Sequence, residues 1–285
     1  MNTTTEYLRS LDAFATEREY RACRDLNWSL LKLIAKSPLH FYHAAQQRER
    51  EDAAETPALR LGRATHAAIL EPDRFASDWT VFHSARRGKV WQAFKEENEG
   101  REILSSAEHH KASAMAEAVR ARPELAALLS DGVAELSLRW EEIAPGHDEP
   151  LRMKARLDWV KLEADGGLCL VDVKTARDIG DRVFGTQAAR LLYHGQMAHY
   201  AAGLSKLTGL PVRTALLVVE SEAPFDCGIY WLDEIAMECG RKRRRELIAK
   251  RVESMYQDGA DGQIVGTQYL SLPDWELATL DRLED

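Results

Sequence analysis

Asp172 and Lys174 stand two residues apart in the run Val171-Asp172-Val173-Lys174-Thr175. In a strand, side chains two apart share a face, so this spacing sets a carboxylate beside an ammonium. Asp158 closes the segment Lys154-Ala155-Arg156-Leu157-Asp158, and Asp165-Gly166-Gly167 lies between the two segments. That turn chemistry returns the chain, so an antiparallel hairpin carries Asp158 to the same spot. Two carboxylates and an ammonium then converge. Phosphodiester cleavage uses such a group: hard oxygen ligands hold Mg²⁺, or Mn²⁺ in its place, and the ion neutralises charge on the scissile phosphate and lowers the pKa of a bound water. The lysine orients that nucleophile or steadies the developing negative charge. The backbone carbonyl of Val173, between the two side chains, offers a further oxygen ligand. For the spacing alone the bland alternative is a surface hairpin on which Asp172 and Lys174 form a weak exposed pair.

The elements that must hold these residues follow from pattern. Asn27-Trp28-Ser29 reads as a cap before Leu30, Leu31, Leu33 and Ile34, with a stop at Ser37-Pro38. Leu59 to Leu70 and the Ala-, Glu- and Leu-rich stretch from Arg101 to Ser130 read as helices, with Pro123 opening its own turn. Period-two alternation then takes over at Ala134, Leu136, Leu138 and Trp140, and again at Met153, Ala155, Leu157 and Trp159, before the apolar run Leu168 to Lys174. This predicts a three-stranded meander. A helix from about Thr186 to Leu207, strands Val212 to Glu220 and Cys227 to Leu232, and a helix from Glu234 to about Gln257 complete the order. It fits an α/β or α+β fold, a central mixed sheet flanked by helices with a helical N-terminal region. The expected division is an N-terminal extension over 1–26, a catalytic domain over 27–257, and an acidic, glycine-bearing tail or interface arm over 258–285.

Composition excludes several classes. With 45% apolar residues in 285, the chain buries a sizeable core and is not disordered. No segment holds the roughly 18 uninterrupted apolar residues of a membrane span, and polar Met1 to Arg9 lead into no apolar signal region, so a cytoplasmic protein without membrane partners is expected. Cys23, Cys169, Cys227 and Cys239 are scattered without a CxxC pair, which argues against a disulfide framework, structural zinc or an iron–sulfur cluster. The net charge of −8 means that any nucleic-acid contact depends on where the basic residues cluster.

Five pieces in order resemble the RecE-type exodeoxyribonuclease (exonuclease VIII) branch of the PD-(D/E)XK superfamily, related to the lambda exonuclease and RecB nuclease domains: Gly62-Arg-Ala-Thr-His66, Glu135 in an early strand, Lys154-Ala-Arg-Leu-Asp158, Val171-Asp-Val-Lys-Thr175 and Gln196-Met-Ala-His-Tyr200. The resemblance spans roughly Asn27 to Arg251. It implies a restriction-endonuclease-like core in which Asp158 and Asp172 bind metal, Lys174 is the catalytic lysine, and His66 completes the metal site from a helix. Glu135 matches a carboxylate that supports the metal or its water, although strand alternation also allows a solvated residue there. Gln196 and Tyr200, four apart and so neighbours on one helix face, match a QxxxY motif that lies beside the active site and contacts the DNA.

The run Arg241-Lys-Arg-Arg-Arg245, continued by Lys250 and Arg251 on a predicted helix, is the candidate for DNA-backbone contact, through Arg241, Arg243, Arg244 and Arg245; a solvated helix face is the alternative. Arg60 and Arg63, near His66, are further phosphate candidates, and Ser29 and Ser37 lie where related exonucleases approach a DNA end. The resemblance implies a Mg²⁺-dependent exonuclease acting on double-stranded DNA ends, 5′ to 3′, with a homo-oligomeric ring and a single-strand annealing protein as partners. An endonuclease, or a catalytically silent DNA-binding module of the same fold, are the competing readings.

Overall fold

The computed structural model describes residues 3–47, 56–256, 260–264 and 266–274. Helices α1 (Thr3–Ser10), α2 (Glu17–Ala22) and α3 (Trp28–Leu31) lead through a 3-10 turn, Lys32–Ala35, into α4 (Pro38–Gln47). The Asn27 side chain caps α3 by accepting the Leu30 N–H, and Pro38 opens α4, where its missing N–H costs no helical bond. Thr56 caps α5 (Pro57–Leu70). Then come α6 (Pro72–Asp78), β1 (Trp79–Phe82), α7 (Gly88–Glu97) and β2 (Glu102–Ser105), a short parallel strand pair joined by a helical crossover. A capping box of Ser105 and Glu108 starts α8 (Ser106–Ala121), and α9 (Pro123–Leu128) follows. The helix read over 101–130 therefore loses its first residues to β2, a strand of four residues, too short to show a period.

β3 (Gly132–Glu142), β4 (Leu151–Leu162) and β5 (Leu168–Ala176) form the expected antiparallel meander. The single helix expected over 186–207 is two, α10 (Asp181–Arg190) and α11 (Tyr193–Thr208), broken where Leu192 adopts a left-handed φ of 59°. β6 (Val212–Glu220) runs parallel to β5, β7 (Cys227–Trp231) antiparallel to β6, and α12 (Glu234–Met255) follows. The sheet order β3-β4-β5-β6-β7 is thus mixed and flanked by helices, as the pattern implied. On one face Leu138, Leu157 and Leu170 pack with Met197 and Leu204 of α11 and Leu247 of α12. On the other, Val171, Val173 and Leu217 pack with Ala64 and Ala68 of α5 and Met115 of α8. No helix among the described residues is long and apolar enough to cross a membrane.

Two irregularities in the meander create the site. First, Glu135 has a φ of 54°, a left-handed conformation that costs a non-glycine residue about 1–2 kcal/mol. Pairing keeps its register through this point, with Ala134 opposite Trp159 and Leu136 opposite Leu157, but the inward faces swap: Leu136 and Leu157 belong to the α11 side, as do Val133 and Val160. Second, β4 and β5 pair only between Trp159↔Val171 and Leu162↔Leu168. Beyond Trp159 the strands part, and the freed edge of β4 needs new hydrogen-bond partners. Leu26 supplies them, donating to the Arg152 carbonyl at 2.9 Å and accepting from the Lys154 N–H at 2.8 Å. Lys154, only 1% exposed, donates to the carbonyls of Tyr20 and Cys23. The stretch expected as an extension over 1–26 thus contributes residues to the same body: Leu8 is buried in the core and the Ala13 N–H donates to Ser137 O. Of the tail expected over 258–285, residues 258, 259, 265 and 275–285 lie outside the described residues.

Candidate active site

The fork between β4 and β5 gathers the carboxylates. Extending the β4–β5 register by one pair puts Asp158 opposite Asp172, and with no ladder bond there the Asp158 carboxylate accepts the Val173 N–H at 2.7 Å. Asp172, 1% exposed, is engaged on both sides. Its Oδ2 is paired with the Lys174 ammonium, and its Oδ1 accepts from Gln196 Nε2 at 3.1 Å, which also donates to the Tyr200 hydroxyl at 2.9 Å. Lys174 Nζ lies 4.7 Å from the centre of the Tyr193 ring, a cation–π contact. The left-handed turn at Leu192 is what starts α11 at Tyr193, one turn before Gln196.

On the α5 side, His66 Nδ1 lies 3.3 Å from Asp158 Oδ2. One donor atom each from His66, Glu135 and Asp158 falls within 4.8 Å of the others. Glu135 is turned to this point by its left-handed backbone and is anchored by Arg156 Nε at 2.6 Å. Beside the triad opens a cavity of about 360 Å³, lined also by Arg63, Arg74, Trp79 and Glu102.

Charge states follow from burial and crowding. Burial, reinforced by Asp158, pushes the Glu135 carboxyl up to about 7. Burial and then Asp172 push Asp158 well above the carboxylate range. Burial pulls His66 down, leaving a neutral imidazole with a free lone pair. Burial would also lower Lys174, but Asp172 and Asp158 outweigh it and hold the ammonium above its ordinary value. The lysine is therefore a cation at neutral pH. Carboxyls forced together until they resist ionising, next to a neutral imidazole, are a donor set that a divalent cation would relieve. The residues fit such an ion, with oxygen ligands from Asp158 and Glu135, the backbone of Val173 nearby, and nitrogen from His66.

The structure thus brings together His66, Glu135, Asp158, Asp172, Val173, Lys174, Gln196 and Tyr200, with Arg63 on the cavity wall. Asp172 contacts Lys174 and Gln196, while the three-donor cluster is made by His66, Glu135 and Asp158. Arg60 is tied by two donors to Glu108. Arg244 corrects the reading of the basic run: it is 6% exposed, bidentate to Glu142, and donates to His199. An arginine held there cannot reach a phosphate. Arg241 is half-buried and Arg243 and Arg245 are exposed, but all carry partners, Glu234 and Glu238, Glu246, and Glu238 respectively. Two site residues escaped the sequence reading. Arg156 shares the strand parity of Asp158 and could have been found by alternation; Tyr193 depends on the helix break.

A family model described as a PDDEXK-like domain of unknown function (DUF3799) matches residues 27–261. The chain belongs to this family. Among solved structures, this PDDEXK-like domain resembles a protein from Eubacterium rectale titled a "putative exonuclease", with a TM-score of 0.55 at 13% identity over 97% of this chain and 98% of that one. At that identity the likeness concerns the fold. A second solved chain, titled SSO0001, overlaps with a TM-score of 0.33 at 13% identity, over 73% of this chain and 88% of its own, and bears no weight. No curated protein sequence matches. The fold is therefore that of the PD-(D/E)XK nuclease superfamily, built on a mixed five-stranded sheet.

Proposed function

We propose that the protein is a divalent-metal-dependent deoxyribonuclease, and more finely a RecE-type exonuclease that hydrolyses linear double-stranded DNA from a 5′ end. The observation that carries the nuclease reading is the fork at Asp158, where a buried lysine–aspartate pair meets a His66–Glu135–Asp158 donor cluster at a cavity mouth. The exonuclease type, the 5′ polarity, DNA ends as substrate, a ring of subunits and an annealing-protein partner rest on the five ordered motifs. A Mg²⁺ or Mn²⁺ held by Asp158, Glu135 and His66 would supply charge neutralisation at the scissile phosphate and an acidified water.

The chain's own residues do the rest. The Lys174 ammonium stays charged, so it stabilises negative charge developing on phosphate oxygens rather than accepting a proton. Asp172 aims that ammonium, and Gln196 fixes Asp172 through one carboxylate oxygen while bonding Tyr200. Glu135 sits in the same donor cluster as His66 and Asp158, so its carboxylate would hold the ion or a water bound to it. Arg156 keeps its carboxyl turned inward.

The test is cleavage of 5′-labelled linear duplex and of closed circular DNA by wild type, Asp158→Asn and Lys174→Ala, with Mg²⁺, Mn²⁺ or EDTA. Metal-dependent loss of linear DNA alone, absent in both variants, is the expected result. Cleavage of the circle would make the protein an endonuclease, and no cleavage by wild type under any condition would overturn the nuclease reading.

A further inference from the structure

From Trp79 to Lys95 the chain contains no acidic residue, yet it carries Arg86, Arg87, Lys89 and Lys95 in a protein of net charge −8. This stretch is β1, the following loop and most of α7, and its foot is the active-site cavity. Trp79 and Glu102, paired across β1 and β2, both line that cavity. The strand pair ends at Phe82↔Ser105, about 10 Å further along at roughly 3.3 Å per residue.

Its cations are sorted by the packing. Arg86 is used inside the fold: it donates to Ile103 O at 2.8 Å and Glu108 Oε2 at 3.0 Å, and lies 5.7 Å from the centre of the Trp91 ring. Lys95 lies 5.6 Å from the same ring. α7 is seated on β1 by Phe82 against Trp91 and Phe94, with centroids 5.0 and 4.9 Å apart. Arg87 and Lys89 are what remain: exposed, adjacent across Gly88, and with no ion-pair or hydrogen-bond partner for their charged heads among the described residues. The arginines read from the sequence as DNA contacts, Arg60 and Arg63 beside the site and Arg241 to Arg245 on α12, all carry glutamate partners.

We infer that the β1–α7 lobe is the surface that holds the duplex next to the cleavage site, with Arg87 and Lys89 contacting the DNA phosphate backbone. The inference rests on the nuclease reading above and places the substrate's flanking duplex on a definite face. Charge complementarity selects the partner: four cations against Glu96 and Glu97 leave the lobe net positive, and its unpaired Arg87 and Lys89, joined to a cavity that holds the metal-donor cluster, fit a polyanion entering that cavity. The only aromatic rings of the lobe's helix, Trp91 and Phe94, are packed on Phe82, and Trp91 is approached by two cations, so the lobe offers phosphate contacts rather than a platform for stacking unpaired bases.

The experiment measures binding of a fluorescent duplex oligonucleotide by the full chain in a Lys174→Ala background, which suppresses cleavage, with and without Arg87→Glu/Lys89→Glu, across 50–300 mM salt. Two lost phosphate contacts make the slope of log K against log salt shallower by about 1.8, and affinity falls at every salt concentration in that range. Mn²⁺ binding and the thermal midpoint stay as in the parent, which shows that fold and metal site are intact. An unchanged slope and affinity, in a protein whose wild type does cut DNA, overturns the lobe while leaving the nuclease reading in place. If wild type cuts no DNA with any metal, the lobe falls together with that reading.

Discussion

Lys174→Met tests whether the central lysine is also the counter-ion that makes the site foldable. Methionine keeps the length of the side chain and its packing against Tyr193 but removes the charge. Asp172 is then left 1% exposed, with Oδ1 on Gln196 and no other partner for Oδ2 among the described residues. Stranding one member of a buried pair costs about 3–5 kcal/mol. At about 2.1 cal/mol/K per residue, 285 residues give an unfolding entropy of about 0.6 kcal/mol/K, so Tm should fall by about 5–8 °C in EDTA at pH 8. The loss should shrink on acidification. Asp158 is already raised by burial and by Asp172, while Lys174 opposes the rise. A carboxyl with a raised folded pKa contributes stability that is complete below its unfolded value and is lost as pH climbs through the folded one, and removing Lys174 enlarges that loss. Lys174→Met/Asp172→Asn, which removes both charges, should recover most of the stability. Calorimetry on the four proteins at pH 5 and 8 decides it. A single variant within 1 °C of wild type at both pH values, or a double variant as unstable as the single, would refute the argument.

Two further outcomes are expected. Burial, with Arg244 beside it, pushes the His199 imidazole down from 6.5 to about 3; its neutral form therefore contributes stability in full above pH 6.5, lost as pH falls toward 3 at up to about 1.4 kcal/mol per unit, and urea midpoints of His199→Gln should show a flatter acid-side decline than wild type. At the α11–α12 crossing, a Cβ on Gly240 would sit 2.2 Å from the His194 carbonyl oxygen, a backbone atom that cannot step aside, so Gly240→Ala should destabilise by about 1–3 kcal/mol; an unshifted urea midpoint would mean that the two helices part without cost.

The sequence by itself determined the meander, the mixed sheet and the approach of Asp158 to Asp172 and Lys174, because these rest on local patterns and a turn; His66, Glu135, Gln196 and Tyr200 were implied by the family resemblance. Asp158 closes an alternating segment, Asp172–Lys174 end a short apolar run, and a Gly-Gly turn joins the two. The glutamates that neutralise the basic helix were also in view: Glu238 precedes Arg241 by three residues and Arg245 by seven, and Glu246 follows Arg243 by three, spacings that share a helix face. What only the tertiary structure decided lies where local rules are broken. A left-handed Glu135 and a left-handed Leu192 have no propensity signal, since neither residue favours that region; packing holds them, and they turn Glu135 into the cluster and set Tyr193 under Lys174. The splaying of β4 from β5 depends on residues 20–26 arriving from more than a hundred positions away to satisfy the freed strand edge. The burial of Arg244 depends on Glu142 and His199, which approach it from other elements. A period reports which face a side chain occupies; which partner meets it there is settled by the long-range hydrogen bonds and ion pairs that form when the whole chain closes.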